Sequence, residues 1–174
     1  PVMAIAGGSK ISTKIILLNN LIKKVDKLVI GGAMANTFLA AKGNYIGKSL
    51  VESDNISIAK DILKKAESEK CQIILPEDVV IAKSFNEIES IKTVKINSIK
   101  KDYSVFDLGE NTIEKISNEM AKCKTVFWNG PLGFYEQKTF DNSTNIIGRT
   151  AAILTRSNLI TSVVGGGDTV AALN

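Results

Sequence analysis

Five short apolar runs in this chain end in glycine: "VMAIAGG", "KLVIGG", "VFDLG", "TVFWNG" and "LITSVVGGG". Longer stretches with apolar residues at helical spacing lie between them. This alternation constrains the fold most, because it is the pattern of repeated strand–helix units around a mainly parallel sheet. Strands are expected at 2–6, 27–30, 72–75, 105–108, 125–128 and 159–164. Helices are expected at 12–23, 34–41, 57–69, 112–122 and 142–156, with a last one opening at Asp168. Residues 76–101 fit less well, and "DVVIAKSF" and "IKTVKINSI" read as short strands of a hairpin-like excursion. The expected architecture is an α/β, three-layer, doubly wound sheet.

In such sheets the ligand sits beyond the carboxyl ends of the strands, where the connecting loops gather. The turns Gly7-Gly8-Ser9-Lys10, Gly31-Gly32-Ala33, Asp107-Leu108-Gly109, Asn129-Gly130-Pro131-Leu132-Gly133 and Gly165-Gly166-Gly167-Asp168-Thr169 all fall there. One glycine pair after a strand is ordinary punctuation. Glycine repeated across one rim lets backbone amides approach phosphate oxygens, and so favours a nucleotide or phosphorylated ligand. Neither GxxxxGK[ST] nor GxGxxG occurs, which counts against the common NTPase loop and the dinucleotide fingerprint.

Lys10 and Lys14 stand four residues apart at the opening of the expected helix 12–23, a spacing that would project both from one helical face. A basic pair at a helix start is locally unfavourable, because the unpaired amides there already carry the positive end of the dipole. A polyphosphate is the expected counter-charge. Asp168 either caps the final helix or holds a hard divalent cation against phosphates, since Mg²⁺ takes one or two carboxylates plus phosphate oxygens. The residues alone leave both open. Asn129 and Glu136 frame a glycine-bearing turn, as phosphate and ribose ligands or as turn chemistry. No histidine occurs, which excludes a histidine base, a histidine metal site and a Ser-His-Asp triad from this segment. A kinase built on it is expected to use an acceptor that is already ionised, such as a carboxylate.

With 174 residues, 44% hydrophobic and 23% charged, the chain is expected to form one globular domain. No apolar run approaches the length of a bilayer span, so no membrane partner is expected. The net charge is +4, but the lysines are scattered and only Arg149 and Arg156 are arginines, which argues against nucleic acid. Cys71 and Cys123 match no metal or redox spacing and are expected to be reduced, buried thiols of a cytoplasmic protein. The chain starts at Pro1 and stops where a glycine turn has barely launched a helix, so it is expected to be a piece of a longer protein.

Taken together, "GGSKISTK", "GGAMANTFLAAKG", "IGKSLVE", "FWNGPLGFYE" and "GGGDTVAA" resemble the carboxyl-terminal, nucleotide-binding domain of the phosphoglycerate kinases, in that family's order and across nearly the whole chain. The resemblance implies a Rossmann-like sheet of six mainly parallel strands in the order 3-2-1-4-5-6. It implies binding of Mg-ADP or Mg-ATP, and phosphoryl transfer between 1,3-bisphosphoglycerate and ADP to give 3-phosphoglycerate and ATP. Carried over residue by residue, Lys10 and Lys14 would be catalytic, holding the transferring and nucleotide phosphates. Asp168 would hold Mg²⁺, and Thr169 with Gly165, Gly166 and Gly167 the phosphate chain. Gly7, Gly8, Gly31, Gly32, Leu50, Phe106 and Phe134 would line the adenine slot. Asn129, Pro131 and Gly133 would face the nucleotide, and Glu136 the ribose hydroxyls.

There are departures. Ala33 stands where many members have a third glycine, and Phe134-Tyr135 where Val-Phe is common, so adenine contacts are expected to differ in shape. The family's amino-terminal domain, which binds the phosphoglycerate, is not in this sequence. The glycine-rich tail that follows the family's last motif is not in it either, so the segment is expected to be inactive alone; a monomer is expected. Two rivals are a non-catalytic nucleotide-binding module, with the lysines and Asp168 only structural, and an unrelated Rossmann-like NAD enzyme.

Overall fold

Successive side chains of a strand point to opposite faces of its sheet, and in a parallel sheet both faces are covered, so its strands are apolar throughout. In the computed structural model, which describes residues 1–174, the first strand β1 (Val2–Ala6) behaves in this way. Helix α1 (Ile15–Ile22), strand β2 (Lys27–Ile30), helices α2 (Met34–Ala41) and α3 (Ile56–Ser68) and strand β3 (Gln72–Ile74) follow. Three short strands come next: β4 (Asp78–Ala82), β5 (Lys92–Lys95) and β6 (Ser104–Leu108). The chain ends with α4 (Glu110–Ala121), β7 (Thr125–Asn129), α5 (Asn142–Arg156), β8 (Thr161–Gly165) and α6 (Gly167–Leu173).

The main sheet has the order β3-β2-β1-β7-β8, and all its pairings are parallel. On one face, Met3, Ile5, Val29, Val126 and Trp128 pack with Ile113, Ile116 and Met120 of α4 and Ile147 of α5. On the other, Ala4, Ala6, Leu28 and Ile30 meet Leu18 and Ile22 of α1, Phe38 of α2 and Ala59 and Ile62 of α3. The doubly wound, three-layer class is therefore as expected. Cys71 and Cys123 are buried and free, and burial raises both thiols, that of Cys71 to about 11. No helix is long and apolar enough to cross a membrane.

The strand count differs from the expected six. Residues 105–108 do form a strand, but β6 pairs antiparallel with β4, which also pairs antiparallel with β5, in a separate sheet of order β5-β4-β6. A half-buried strand has the same pattern whether its neighbour is parallel or antiparallel, and the partner came from the hairpin excursion. With 105–108 removed, the five remaining strands lie in the order 3-2-1-4-5. The small sheet has its own core of Leu39, Ile46, Val79, Ile81 and Ile99.

The two sheets are joined through a buried carboxylate. Asp78, at the start of β4, accepts hydrogen bonds from the amides of Asn111 (3.0 Å) and Thr112 (2.8 Å) in the first turn of α4, and from the Thr112 hydroxyl (2.6 Å). A β-strand residue from far away thus satisfies amides that a helix start leaves unpaired.

Candidate functional site

The loops after β1, β2 and β7 are tied together backbone to backbone. The amide of Gly7 donates to the carbonyl of Asn129 (2.9 Å), that of Gly8 to Pro131 (3.0 Å), that of Gly32 to Leu132 (3.0 Å) and that of Met34 to Gly8 (3.0 Å). Side chains would prevent this approach. A Cβ on Gly7 would lie 2.0 Å from the Pro131 oxygen, and one on Gly32, whose φ is +67°, 2.3 Å from the Gly8 oxygen. Close packing of loops is thus the first reason for these glycines, and the amides of Gly7, Gly8 and Gly32 are spent on it. Among the rim amides without a backbone acceptor are those of Ser9, Lys10, Ala33, Gly133 and Gly166, and Gly167, Asp168 and Thr169 form the first turn of α6, where helix amides lack an intrahelical partner.

Beneath this knot and beside the small sheet opens a cavity of about 540 Å³, within the range of small-molecule sites. Gly8, Gly32, Leu50, Phe106, Pro131, Gly133, Phe134, Glu136 and Asp168 of the expected set line it. Gly7 and Gly31 are buried and do not line it, and neither do Lys10, Lys14, Asn129, Gly165, Gly166, Gly167 or Thr169. Its aromatic side is a ladder: Phe85 meets Phe134 edge-on at 5.9 Å, Phe134 lies 6.0 Å from Phe106, and Phe106 stacks on Phe140 at 4.7 Å. Phe85 was not singled out from the sequence. It sits in the 76–101 excursion, and only the pairing of β4 with β6 brings that loop to the rim.

The polar end adjoins Asp168. Lys14 donates to the Asn129 side-chain oxygen, and its ammonium is half-buried. Burial lowers the Lys14 pKa, and the nearby Asp168 carboxylate opposes that shift. The Thr169 hydroxyl is buried and accepts the Gly130 amide at 2.6 Å, fixing the Asn129-Gly130 turn against α6. Gly166, next after β8, has a φ of +92° and lies against the Asn129 amide. Asp168 is exposed in the first turn of α6 and makes no capping hydrogen bond. The Tyr135 phenol is pushed above its usual value by burial, then by the charges of Asp168 and Glu136.

The expected placement of the lysine pair needs correction. α1 begins at Ile15 rather than at residue 12, so Lys10 lies in the preceding loop and Lys14 immediately before the first helical residue. The two do not share a helical face. A turn closed from the Lys14 amide to the Ile11 carbonyl (2.9 Å) separates them. The Lys10 side chain is exposed, and its ammonium has no ion-pair partner within the chain.

Asp107 on β6, in a turn that the sequence places at the rim without a role for this carboxylate, is a further residue of the cavity. It lines the cavity and is buried, accepting the Leu108 amide (2.9 Å) and the amide (3.2 Å) and hydroxyl of Ser143 at the start of α5. Burial is the largest influence on it and raises its pKa to about 6. A carboxyl that holds its proton more tightly when folded contributes stability below its unfolded pKa, and loses it as pH rises through the folded value. Denaturant unfolding between pH 4 and 7 should therefore show the wild type losing stability relative to Asp107→Asn as pH rises. The change is on the order of 2 kcal/mol. A difference independent of pH would show that Asp107 titrates normally.

A profile described as Phosphoglycerate kinase matches residues 1–174. Over 174 residues the chain is 51% identical to phosphoglycerate kinase of Chelativorans sp. (strain BNC1), covering 100% of this chain and 44% of that protein. It is equally similar, at 51% over the same length and coverage, to phosphoglycerate kinase of Ruegeria sp. (strain TM1040). The solved phosphoglycerate kinase of Coxiella burnetii superposes with a TM-score of 0.93 at 41% identity, over 99% of this chain and 43% of that one. The chain thus spans less than half the length of the curated relatives it matches.

Proposed function

Since the chain belongs to the phosphoglycerate kinase family, we propose that residues 1–174 are the carboxyl-terminal, nucleotide-binding domain of a two-domain glycolytic kinase and that the glycine-lined rim binds ADP or ATP with Mg²⁺. Family membership sets aside the unrelated NAD enzyme. The observation that carries the proposal is the apolar aromatic cavity whose glycine side holds Gly8 and Asp168, with Lys14 lying against Gly8, bonded to Asn129 and within the field of Asp168.

The adenine occupies the slot between Leu50 and the Phe85–Phe134–Phe106 side, with the ribose hydroxyls toward Glu136. The phosphates run toward Lys14 and the open amides of Gly166, Gly167, Asp168 and Thr169. Gly165 ends β8 beside them. The donor set suits Mg²⁺: no cluster of three or more His, Cys, Asp or Glu side chains could cage a metal, but one exposed carboxylate adjoins the phosphate path, and Mg²⁺ needs little more from protein when phosphates supply the remaining oxygens. When bound, the ion neutralises phosphate charge.

The reaction passes a phosphoryl group between the acyl phosphate of 1,3-bisphosphoglycerate and ADP, leaving 3-phosphoglycerate and ATP. The departing carboxylate needs no base, which suits a site without histidine. What remains for the protein is positioning and charge stabilisation. Lys14 is held in place by Asn129 and fixes nucleotide phosphates, while the uncommitted ammonium of Lys10 reaches the migrating group. The phosphoglycerate is held by the remainder of the protein. The kinase works as a cytoplasmic monomer.

Asp168→Ala tests the metal assignment. Asp168 is an exposed acid in the first turn of α6, so stability should fall by no more than about 1 kcal/mol. ADP affinity should fall roughly tenfold or more with Mg²⁺ present and barely at all without it. Equal losses in calorimetric titrations under both conditions would assign Asp168 a structural role.

A further inference from the structure

A second cavity, of about 630 Å³, lies at the seam between the two sheets, away from the glycine rim. Its apolar lining comes from Leu39 of α2, Leu63 of α3, Ile73 and Leu75 at the end of β3, and Ile96 after β5. Three lysines border it, Lys42, Lys95 and Lys115, against one acid, Glu77. Glu77 pairs with Lys115, so the unbalanced charges are Lys42, at the end of α2, and Lys95, on β5. Neither ammonium forms an ion pair within the chain, and both are exposed.

We propose that this groove binds a small amphipathic organic anion, with its hydrocarbon body on the Leu63–Ile73–Leu75–Ile96 floor and its carboxylate or phosphate between Lys42 and Lys95. Charge complementarity selects the class. A groove with five apolar residues among the twelve that line it holds a hydrocarbon only weakly, but two unpaired cations on its lip favour a negative head, and charge-assisted hydrogen bonds are the stronger kind. The lining also has structural support. The connection from β3 to β4 is pinned by the Ile96 amide donating to the Glu77 carbonyl (3.0 Å) and by the Glu77 amide donating to the Thr112 hydroxyl (3.0 Å). The groove is therefore preformed. Pro76, in that connection, also borders the nucleotide cavity. The proposal does not rest on the nucleotide reading.

The test uses octanoate and octyl phosphate, with octanol as the uncharged control, all below their micelle concentrations. They are titrated into the ¹⁵N-labelled intact protein that contains this chain, with amide shifts read by NMR. Both anions should give saturable shifts at Leu75, Glu77, Ile96 and Asn97, and octanol much weaker ones. The exposed double variant Lys42→Gln/Lys95→Gln should weaken the anions roughly tenfold and leave octanol unchanged. A larger response to one anion would identify the preferred head group. Absence of saturable shifts at these residues, equal binding of octanol, an unaffected double variant, or shifts confined to Phe85 and Phe134 would each overturn the proposal.

Discussion

Gly7→Ala is expected to abolish nucleotide binding and to destabilise the fold by about 4 kcal/mol or more, the exceptional end of single-substitution effects. The new methyl would sit 2.0 Å from the Pro131 carbonyl oxygen and 2.5 Å from that of Gly130. Both obstacles are backbone, so no rotamer change relieves the clash. The loops after β1 and β7 would have to separate, breaking the Gly7–Asn129 and Gly8–Pro131 hydrogen bonds and moving Asn129 away from Lys14. Gly43→Ala is the control. Its φ of +88° strains any side chain, but nothing lies within 4 Å of the added carbon. It should cost only about 1–2 kcal/mol and leave ADP affinity unchanged. Thermal melts and ADP titrations of the two variants decide it. A Gly7→Ala protein as stable as Gly43→Ala would mean that the rim does not depend on this close packing.

Lys10→Ala in the intact protein is expected to reduce turnover roughly 100- to 1,000-fold while leaving ADP affinity within about threefold. Removing one preorganised charge aimed at the reacting group typically costs about 2–4 kcal/mol of transition-state stabilisation. The asymmetry follows from the site. Lys14, Asn129 and the open amides after β8 remain to bind the nucleotide, whereas the Lys10 ammonium has no ion pair to maintain. A lysine that acted only in ground-state binding would instead raise the KM for ADP at constant kcat. Steady-state kinetics with 1,3-bisphosphoglycerate and ADP separate the two. Near-normal kcat in the variant would remove Lys10 from the chemistry.

Much of the fold was legible because helix and strand periods differ. α2 and α5 occupy the expected spans of 34–41 and 142–156, since apolar residues at helical spacing decide their limits. β6 was recognised as a strand, but not its sheet: side-chain alternation reports burial, and pairing depends on a neighbour contributed by a distant hairpin. The start of α1 was misplaced for a local reason. The turn from Ile11 to Lys14 buries Ile11 just as a helix would, so the apolar spacing looks continuous across it.

The candidate site divides in the same way. The glycine turns after β1, β2, β7 and β8 reach one rim because these strands are parallel, whereas the Gly109 turn follows antiparallel β6 and leads into α4. Which amides remain open was not legible, because that depends on carbonyls of other loops, such as Pro131 facing Gly8. Phe85 carries no local signal as a site residue, and Asp107, although in a turn expected at the rim, carries none for its burial in the cavity wall, for a related reason. Both enter through the small antiparallel sheet, whose pairing with the rim no local pattern encodes.

Calorimetric titration of ADP into this 174-residue chain, with its fold verified beforehand by a cooperative melt, tests the glycine rim most directly. A saturable, one-to-one heat with Mg²⁺, markedly weaker after the metal is chelated, is the predicted result. Absence of heat from a sample that melts cooperatively would contradict the assignment of the glycine rim as a nucleotide site.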